Sequence, residues 1–434
     1  MPTSRRSRGS WWRPSRPCTG DAGGGAASAQ RSRVQPQLDD PTDVGQVAVA
    51  GGRITAVTAF QDWLAAAAAR RRDLGLVRST PVIDPADPAG PMLDLAGNDY
   101  LGLRTHPTVV AGAVAAATAY GGGAGASRLV TGTLPIHADL ETALCALTGA
   151  PAGLVFSTGY AANLAAVTAL TDADTLVISD AHIHASLVDA ARLSRASVAV
   201  ARHNDVAHVA ALLAARAQPR AMVLVESVYS VLGDAAPLAE LLEVCGAHGA
   251  VLLVDEAHGI GVTGDQGQGS AAALRISADP QVVLTLTLSK SLASQGGAVL
   301  GSPEVRDHLV NTARPFIYDT GLAPAAAGAA LAALGVLREH PELAAAVRHN
   351  SALLADACGV DAPAGAVLSV AMPGPHEALA AVATAAQHGI RIGCFRPPST
   401  PDGTSRLRLT AHADHHPHDD LAGACLLLKE LTRG

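Results

Sequence analysis

The sequence predicts an α/β protein, with a large, mostly parallel three-layer α/β/α domain and a smaller C-terminal α+β domain. Three observations carry that prediction. Short aliphatic and β-branched runs alternate with amphipathic helical stretches between about residues 150 and 290. The runs are apolar throughout, as strands are when helices cover both faces of a parallel sheet. After about residue 325 a long alanine-rich helix follows and strands become sparse.

The elements follow in order. Residues 1–58 hold eight arginines and four aspartates but no glutamate or lysine, and are rich in Gly, Ser, Pro and Gln without a sustained period. They are expected to form a disordered basic extension. Residues 59–105 are expected to supply an N-terminal helix and strand segment. The helix opens at Phe60-Gln-Asp-Trp-Leu and ends near Arg70-Arg71-Arg72. The large domain is expected over 106–325, with strands at Gly153–Ser157, Thr175–Ser179, Ser197–Ala201, Ala221–Glu226, Val251–Asp255 and Val282–Leu286. Helices are expected between several of these, at Ala185–Leu193, Val206–Ala217 and Leu238–His248. The small domain is expected over 326–434, with strands at Val367–Met372 and Arg406–Thr410. Right-handed crossovers gather the functional groups at the carboxyl ends of the parallel strands.

Bulk properties exclude several classes. The 434 residues carry a net charge of −7, which argues against binding nucleic acid by neutralising phosphates. The longest alanine-rich run, Ala325 to Leu337, is too short to span a bilayer, which takes about 20 residues. The arginine-rich N-terminus has no apolar stretch behind it and does not read as a secretory signal. Six scattered cysteines with no C-x-x-C pair suit reduced thiols in the cytoplasm.

One number points to chemistry. The chain has 29 arginines but only two lysines, Lys290 and Lys429. Lys429 sits beside Glu430 in a C-terminal helix and reads as a solvated face. Lys290 ends the buried run Thr285-Leu-Thr287-Leu-Ser289. Arginine keeps its proton at any working pH, whereas a desolvated lysine loses it and forms a Schiff base. A second run, Val251-Leu-Leu-Val-Asp255-Glu256-Ala257-His258, delivers an acid and a histidine at one strand end. Read as a D-E-A-H box it would need a G-x-x-x-x-G-K-[ST] loop, but neither lysine follows a glycine. Phe156-Ser157-Thr158-Gly159-Tyr160 is a strand, a glycine turn and a helix start, where backbone N–H groups can hold a phosphate. His182 and His184 follow another strand, and Ser230 lies in a loop after a third. The tract His412-Ala-Asp-His415-His416-Pro-His418 reads as an exposed turn rather than a metal site, and no metal is expected.

A Schiff-base lysine, an acid on a neighbouring strand end, a glycine-turn phosphate seat and flanking histidines together describe a pyridoxal 5'-phosphate (PLP) site, in which the acid keeps the pyridine nitrogen protonated. The sequence from about Phe60 onward resembles the α-oxoamine synthases, fold-type I PLP-dependent transferases that condense an amino acid with an acyl thioester. The motifs are Asn98-Asp-Tyr-Leu-Gly-Leu103, the loop Gly123–Thr133 with His137, His184-Ala-Ser-Leu, Asp255-Glu-Ala-His258-Gly and Thr287-Leu-Ser-Lys290.

The resemblance implies that Lys290 forms the imine with PLP and moves protons at Cα. It implies that Asp255 pairs with the pyridine nitrogen and that His184 stacks on the ring. Ser230 and His258 would hydrogen-bond the phenolic oxygen, while Gly159, Tyr160 and Thr287 would seat the cofactor. Asn98 and Arg396 would contact substrate, with Arg396 clamping a carboxylate. The family's second substrate arginine falls at or beside Arg78, and Ser399 stands where the family has threonine. The segment Cys394-Phe-Arg396-Pro-Pro with Ser405-Arg-Leu-Arg-Leu-Thr410 looks most like members that join L-alanine to a pimeloyl thioester, carried by CoA or an acyl carrier protein, on the route to biotin. The alternative is a glycine-using member making 2-amino-3-oxobutyrate or 5-aminolevulinate. The resemblance also implies a homodimer.

Overall fold

The computed structural model describes residues 52–83, 92–397, 399–400, 402–416 and 421–432. The chain divides into two units, 1–64 and 65–434. In the first, the described residues are the opening part of the Gly52–Asp73 helix, where Phe60 and Trp63 stack with ring centroids 5.7 Å apart. The helix begins at Gly52, so residues 52–58 are helical and the expected extension is shorter than 1–58. The rest of that extension lies outside the described residues.

The second unit holds two sheets. In chain order the strands are β1 (Leu93–Leu95), β2 (Ala152–Phe156), β3 (Thr175–Asp180), β4 (Ser197–Ala201), β5 (Arg220–Glu226), β6 (Val251–Asp255), β7 (Val282–Thr287), β8 (Gly297–Gly301), β9 (Val367–Ala371), β10 (Ile390–Phe395) and β11 (Arg406–Thr410). Among the described residues the large sheet has seven strands in the order β2-β8-β7-β6-β5-β3-β4, and the small sheet four in the order β1-β10-β11-β9. The six sequence-predicted strands of the large domain all form, within a residue or so at each end. β8 is the addition, and it runs antiparallel to both β2 and β7.

The large sheet is a sandwich filling because its strands bury both faces. Val223 and Val225 of β5 and Leu252 and Val254 of β6 enter one core, while Met222, Leu224 and Leu253 enter the other. This two-sided alternation explains why the strands read as unbroken apolar runs. Helices Pro107–Tyr120, Pro135–Thr148 and Leu238–His248 cover the first face, and Gly159–Leu170 and Ala185–Leu193 the second. The three-layer expectation is thereby met. Side-chain caps start several helices: Thr158 accepts from Ala161 N, Asp205 from His208 N and Ser302 from Val305 N.

The domain boundary near 325 needs correction. Helix Pro324–Glu339 buries Ala327, Ala330, Ala333 and Leu337 in the large core rather than founding the small one. It crosses Pro107–Tyr120 closely, because a Cβ on Gly112 would sit 2.7 Å from Gly328 O and one on Gly328 2.5 Å from Gly112 O. The small sheet instead recruits β1 from the N-terminal segment, parallel to β10. Its own core contains Leu95, Leu354, Leu368, Ile392, Leu407 and Leu428.

Candidate active site

The parallel strands β3, β5, β6 and β7 end at one edge of the large sheet. Register pairs Glu226 with Asp255 and Asp255 with Thr285, so two acids lie abreast on neighbouring strands. Thr287 closes β7, and Lys290 follows three residues later.

Lys290 is half-buried, and its Nζ lies 2.8 Å from His258 Nε2. Desolvation pulls the amine down to about 8 against the pull of the Asp255 and Glu226 carboxylates. His258 Nδ1 lies 2.8 Å from the hydroxyl of Tyr100, which itself donates to Asn98 Oδ1 at 3.0 Å. Tyr100 has one proton and gives it to Asn98, so its oxygen accepts from His258 Nδ1–H. His258 Nε2 is then the lone-pair side, able to accept from Lys290. Burial, with Lys290 and Arg408 nearby, holds His258 well below its ordinary value, consistent with a neutral ring.

Asp255 is only 4% exposed. Its Oδ2 accepts from Asn163 Nδ2 at 2.8 Å and its Oδ1 from Ala257 N at 2.9 Å. Asn163 also donates to Ser186 Oγ at 2.8 Å, and that hydroxyl meets His184 Nδ1 at 2.7 Å. Because Ser186 N donates to the same Nδ1 at 3.2 Å, the His184 proton sits on Nε2. Burial lowers the pKa of His184, which favours the neutral ring suited to stacking.

A cavity of about 280 Å³ is lined by Gly159, His184, Asp255, His258, Thr287 and Lys290 among others. Tyr160 lines it too, and its hydroxyl donates to Asp189. Gly159 is required by crowding: a Cβ there would meet Thr287 Cβ at 3.0 Å, and one on Gly297 would meet Gly159 Cα at 2.5 Å. This contact sets the N-terminus of helix Gly159–Leu170, whose first N–H groups lack intrahelical partners, beside the Thr287 hydroxyl.

A neighbouring cavity of about 650 Å³ shares His184, His258 and Lys290 and adds Asn98, Ser230, Phe395, Ser399 and Arg408. Ser230 N donates to Glu226 Oε2 at 3.0 Å, and Ser230 O accepts from Arg408 Nε at 2.7 Å. The structure thus brings Lys290, His184, Asp255, Gly159, Tyr160, Ser230, His258, Thr287 and Asn98 together.

It does not bring Arg396 or Arg78 there. Arg396 donates to the carbonyls of Gly75 and Val77, the latter at 3.2 Å, and Arg78 donates to Ser399 Oγ at 2.7 Å. Both arginines line a further cavity of about 440 Å³, which adjoins the second through Phe395 and Ser399 but does not include Lys290. The buried guanidinium beside Lys290 is that of Arg408, whose two terminal nitrogens reach Asn98 Oδ1 at 3.3 Å and whose Cζ lies 5.1 Å from the centroid of the Phe395 ring. Sequence reasoning missed Arg408, Tyr100, Asn163 and Glu226. A signal for Arg408 existed, since a charged residue stands inside the apolar strand pattern Arg406-Leu-Arg408-Leu-Thr410.

Three other places in the chain have structural roles. His137 is structural: Nδ1 accepts from Leu134 N and Nε2 pairs with Leu322 O at 2.8 Å. Arg128, in the loop Gly123–Thr133, forms a buried ion pair with Glu141 at 3.0 Å. His412 and His415, expected in an exposed turn, are 6% and 7% exposed, because Asn350 pins their carbonyls and their rings stack. With Asp414 they offer donor atoms within 4.8 Å of one another, although His412 Nε2 already engages Gly97 O and His415 Nδ1 the His412 N–H.

The residues fit PLP. The cavity offers an amine with a depressed pKa, a buried carboxylate with both oxygens anchored, a helix N-terminus whose side-chain space Thr287 and Gly297 restrict, and a neutral imidazole at the wall. The family model for class I and II aminotransferases matches residues 90–424. An 8-amino-7-oxononanoate synthase from Mycolicibacterium gilvum is 55% identical over 352 residues, 81% of this chain and 92% of the relative. One from Mycobacterium marinum is 53% identical over 373 residues, 86% and 95% of the two chains. A solved serine palmitoyltransferase from S. paucimobilis, carrying PLP, superposes with a TM-score of 0.75 at 30% identity, covering 79% of this chain and 87% of that one. An 8-amino-7-oxononanoate synthase structure from Francisella tularensis shares the fold, with a TM-score of 0.67 at 24% identity over 78% and 98% of the chains. The chain belongs to the 8-amino-7-oxononanoate synthase family, PLP-dependent acyltransferases within the class I and II aminotransferases.

Proposed function

We propose that the chain condenses L-alanine with a pimeloyl thioester, releasing CO2 and the free thiol and giving 8-amino-7-oxononanoate for biotin synthesis. The carrying observation is the convergence of Lys290, Asp255 and Arg408 around adjoining cavities. Bound PLP supplies an electron sink for the negative charge that develops at the amino-acid Cα.

The chain's own groups do the rest. Asp255, whose oxygens accept from Asn163 and the Ala257 N–H, would pair with the pyridine nitrogen. The backbone at Gly159 and Tyr160, with Thr287, holds the phosphate, while Ser230 and His258 face the phenolic oxygen and His184 the ring. Lys290 would hold the cofactor through its amine and could move a proton at the amino-acid Cα, with His258 Nε2 as its hydrogen-bond partner. Arg408 and Asn98 orient the substrate carboxylate, a role better suited to Arg408, which lines the cavity shared with Lys290, than to Arg396, which does not. Arg78, Arg396 and Ser399 line the cavity proposed to take the acyl donor.

The protein is proposed to act as a homodimer in the cytoplasm. Exposed Val114, Val130 and Tyr318 support an interface, and no helix among the described residues is long and apolar enough to cross a membrane.

The test is a substrate panel. Thiol and CO2 release are followed with pimeloyl-CoA, pimeloyl-acyl carrier protein, acetyl-CoA and succinyl-CoA, each with alanine or glycine. Turnover with alanine and a pimeloyl donor is the expected result. Turnover only with glycine and a short acyl-CoA would move the assignment to the glycine-using relatives.

A further inference from the structure

Two buried carboxylates stand side by side at this site, and the reaction as derived uses only one. Glu226 ends β5 directly beside Asp255 at the end of β6. They are 2% and 4% exposed. Like charges so placed cannot both ionise without a large penalty, so one acid keeps its proton.

The hydrogen bonds decide which. Both oxygens of Asp255 accept from firmly placed donors. Glu226 Oε2 accepts from Ser230 N and the His184 backbone N–H also bears on the carboxyl, but Oε1 is buried without a well-formed hydrogen bond among the described residues, and Glu226 lines the 280 Å³ cavity. An ionised carboxylate would leave a lone pair unsatisfied there, whereas a protonated one has a hydroxyl to offer. The charged and titratable groups around it are Asp255 on β6, Lys290 after β7, Arg408 on β11, His258 after β6, His184 ahead of the Ala185–Leu193 helix, and the buried Tyr100 and Tyr229. Burial pushes the Glu226 carboxyl up to about 8 and Asp255 adds to this, against the pull of Lys290 and of the Ser230 and His184 backbone N–H groups.

We propose that Glu226 is a positioning residue held as the neutral acid: Oε2 fixes the Ser230 backbone, and the protonated Oε1 donates into the cavity to an anionic oxygen of the bound cofactor. Its neutrality leaves Asp255 as the single anion available to the pyridine nitrogen. This rests on the PLP assignment and is independent of which thioester is used.

The experiment compares the parent with Glu226→Gln and Glu226→Ala, with folding checked by circular dichroism. Infrared difference spectra of the cofactor-free proteins at pH 7 read the protonated carboxyl directly. A carboxylic acid C=O band present in the parent and missing in Glu226→Gln is expected; its absence from the parent overturns the proposal. PLP affinity is then titrated from pH 6.5 to 9. Glu226→Gln, which keeps a neutral donor, should bind within about threefold of the parent, and Glu226→Ala about tenfold more weakly or worse. The parent should lose affinity above about pH 8 more steeply than Glu226→Gln, because both share the Lys290 titration and only one carries the acid. Equal weakness of Gln and Ala, or identical pH profiles for parent and Gln, overturns the proposal. The infrared reading needs neither PLP nor substrate, so failure of the functional assignment and failure of this one are separable.

Discussion

Lys290 shows what a single side chain decides. Its amine must shed a proton to react, and the structure lowers its affinity for that proton by desolvation while keeping a neutral imidazole 2.8 Å away. Lys290→Arg preserves charge and much of the volume, yet turnover should fall by at least about 10²-fold and borohydride should trap no covalent cofactor adduct by mass spectrometry. His203 makes a different residue-scale case. It bridges Asp180 and Asp234 at 2.8 Å each, lies beside the Ser230 loop, and stacks on His182 at 3.8 Å. Burial pulls its pKa down, but the two carboxylates outweigh this and push it up to about 9. A pKa raised above the unfolded value of about 6.5 means stabilisation that is full below that pH and lost as pH rises through about 9. Allowing for the partial exposure of Asp234, its loss should cost on the order of 2 kcal/mol. Urea midpoints of the parent should therefore fall between pH 7 and 10, and those of His203→Gln should fall much less.

Elements were legible where one local pattern sufficed. β4, β6 and β11 form over the residues their apolar runs predicted, and helices Ala185–Leu193 and Leu238–His248 do too. β8 escaped because Gly297 and Gly301 bracket only three aliphatic residues, a sequence that reads as a loop until β2 and β7 are seen to need a common neighbour. The site divides along the same line. Lys290, Asp255 and His258 stand out because each is an unusual residue at a strand end. Arg408 and Asn98 are 310 residues apart and meet only through the small sheet, so no local pattern announces the pair. At this scale the Gly112–Gly328 crossing sets a limit. Gly112→Ala should lower stability by about 1–3 kcal/mol by over-packing, despite the better helix propensity of alanine, and thermal unfolding would measure it. An unchanged melting temperature would show that the two helices can separate at no cost.

At the scale of the whole molecule, the proposed cofactor residues and the proposed substrate arginine belong to different sheets. Gly159, His184, Asp255, His258, Thr287 and Lys290 belong to the large-sheet layer, whereas Arg408 lies on β11, whose core is separate. Mild denaturant should therefore act in two stages. Alanine KM should rise while bound PLP absorbance is still intact, and the absorbance should be lost only when the large sheet opens. Simultaneous loss of both would show that the sheets unfold as one cooperative unit.

Arg408 carries one more consequence. Its Nε holds the Ser230 carbonyl, and Ser230 N in turn holds Glu226. A guanidinium on the small sheet thus braces the loop beside the proposed cofactor cavity, and it is also the group proposed to hold the substrate carboxylate. Recognition of the amino acid and tuning of the ring's environment are mechanically one event. An amino acid that fits poorly would then be penalised twice, once in its own grip and once in the alignment of the catalytic apparatus, so discrimination should appear in turnover as well as in affinity.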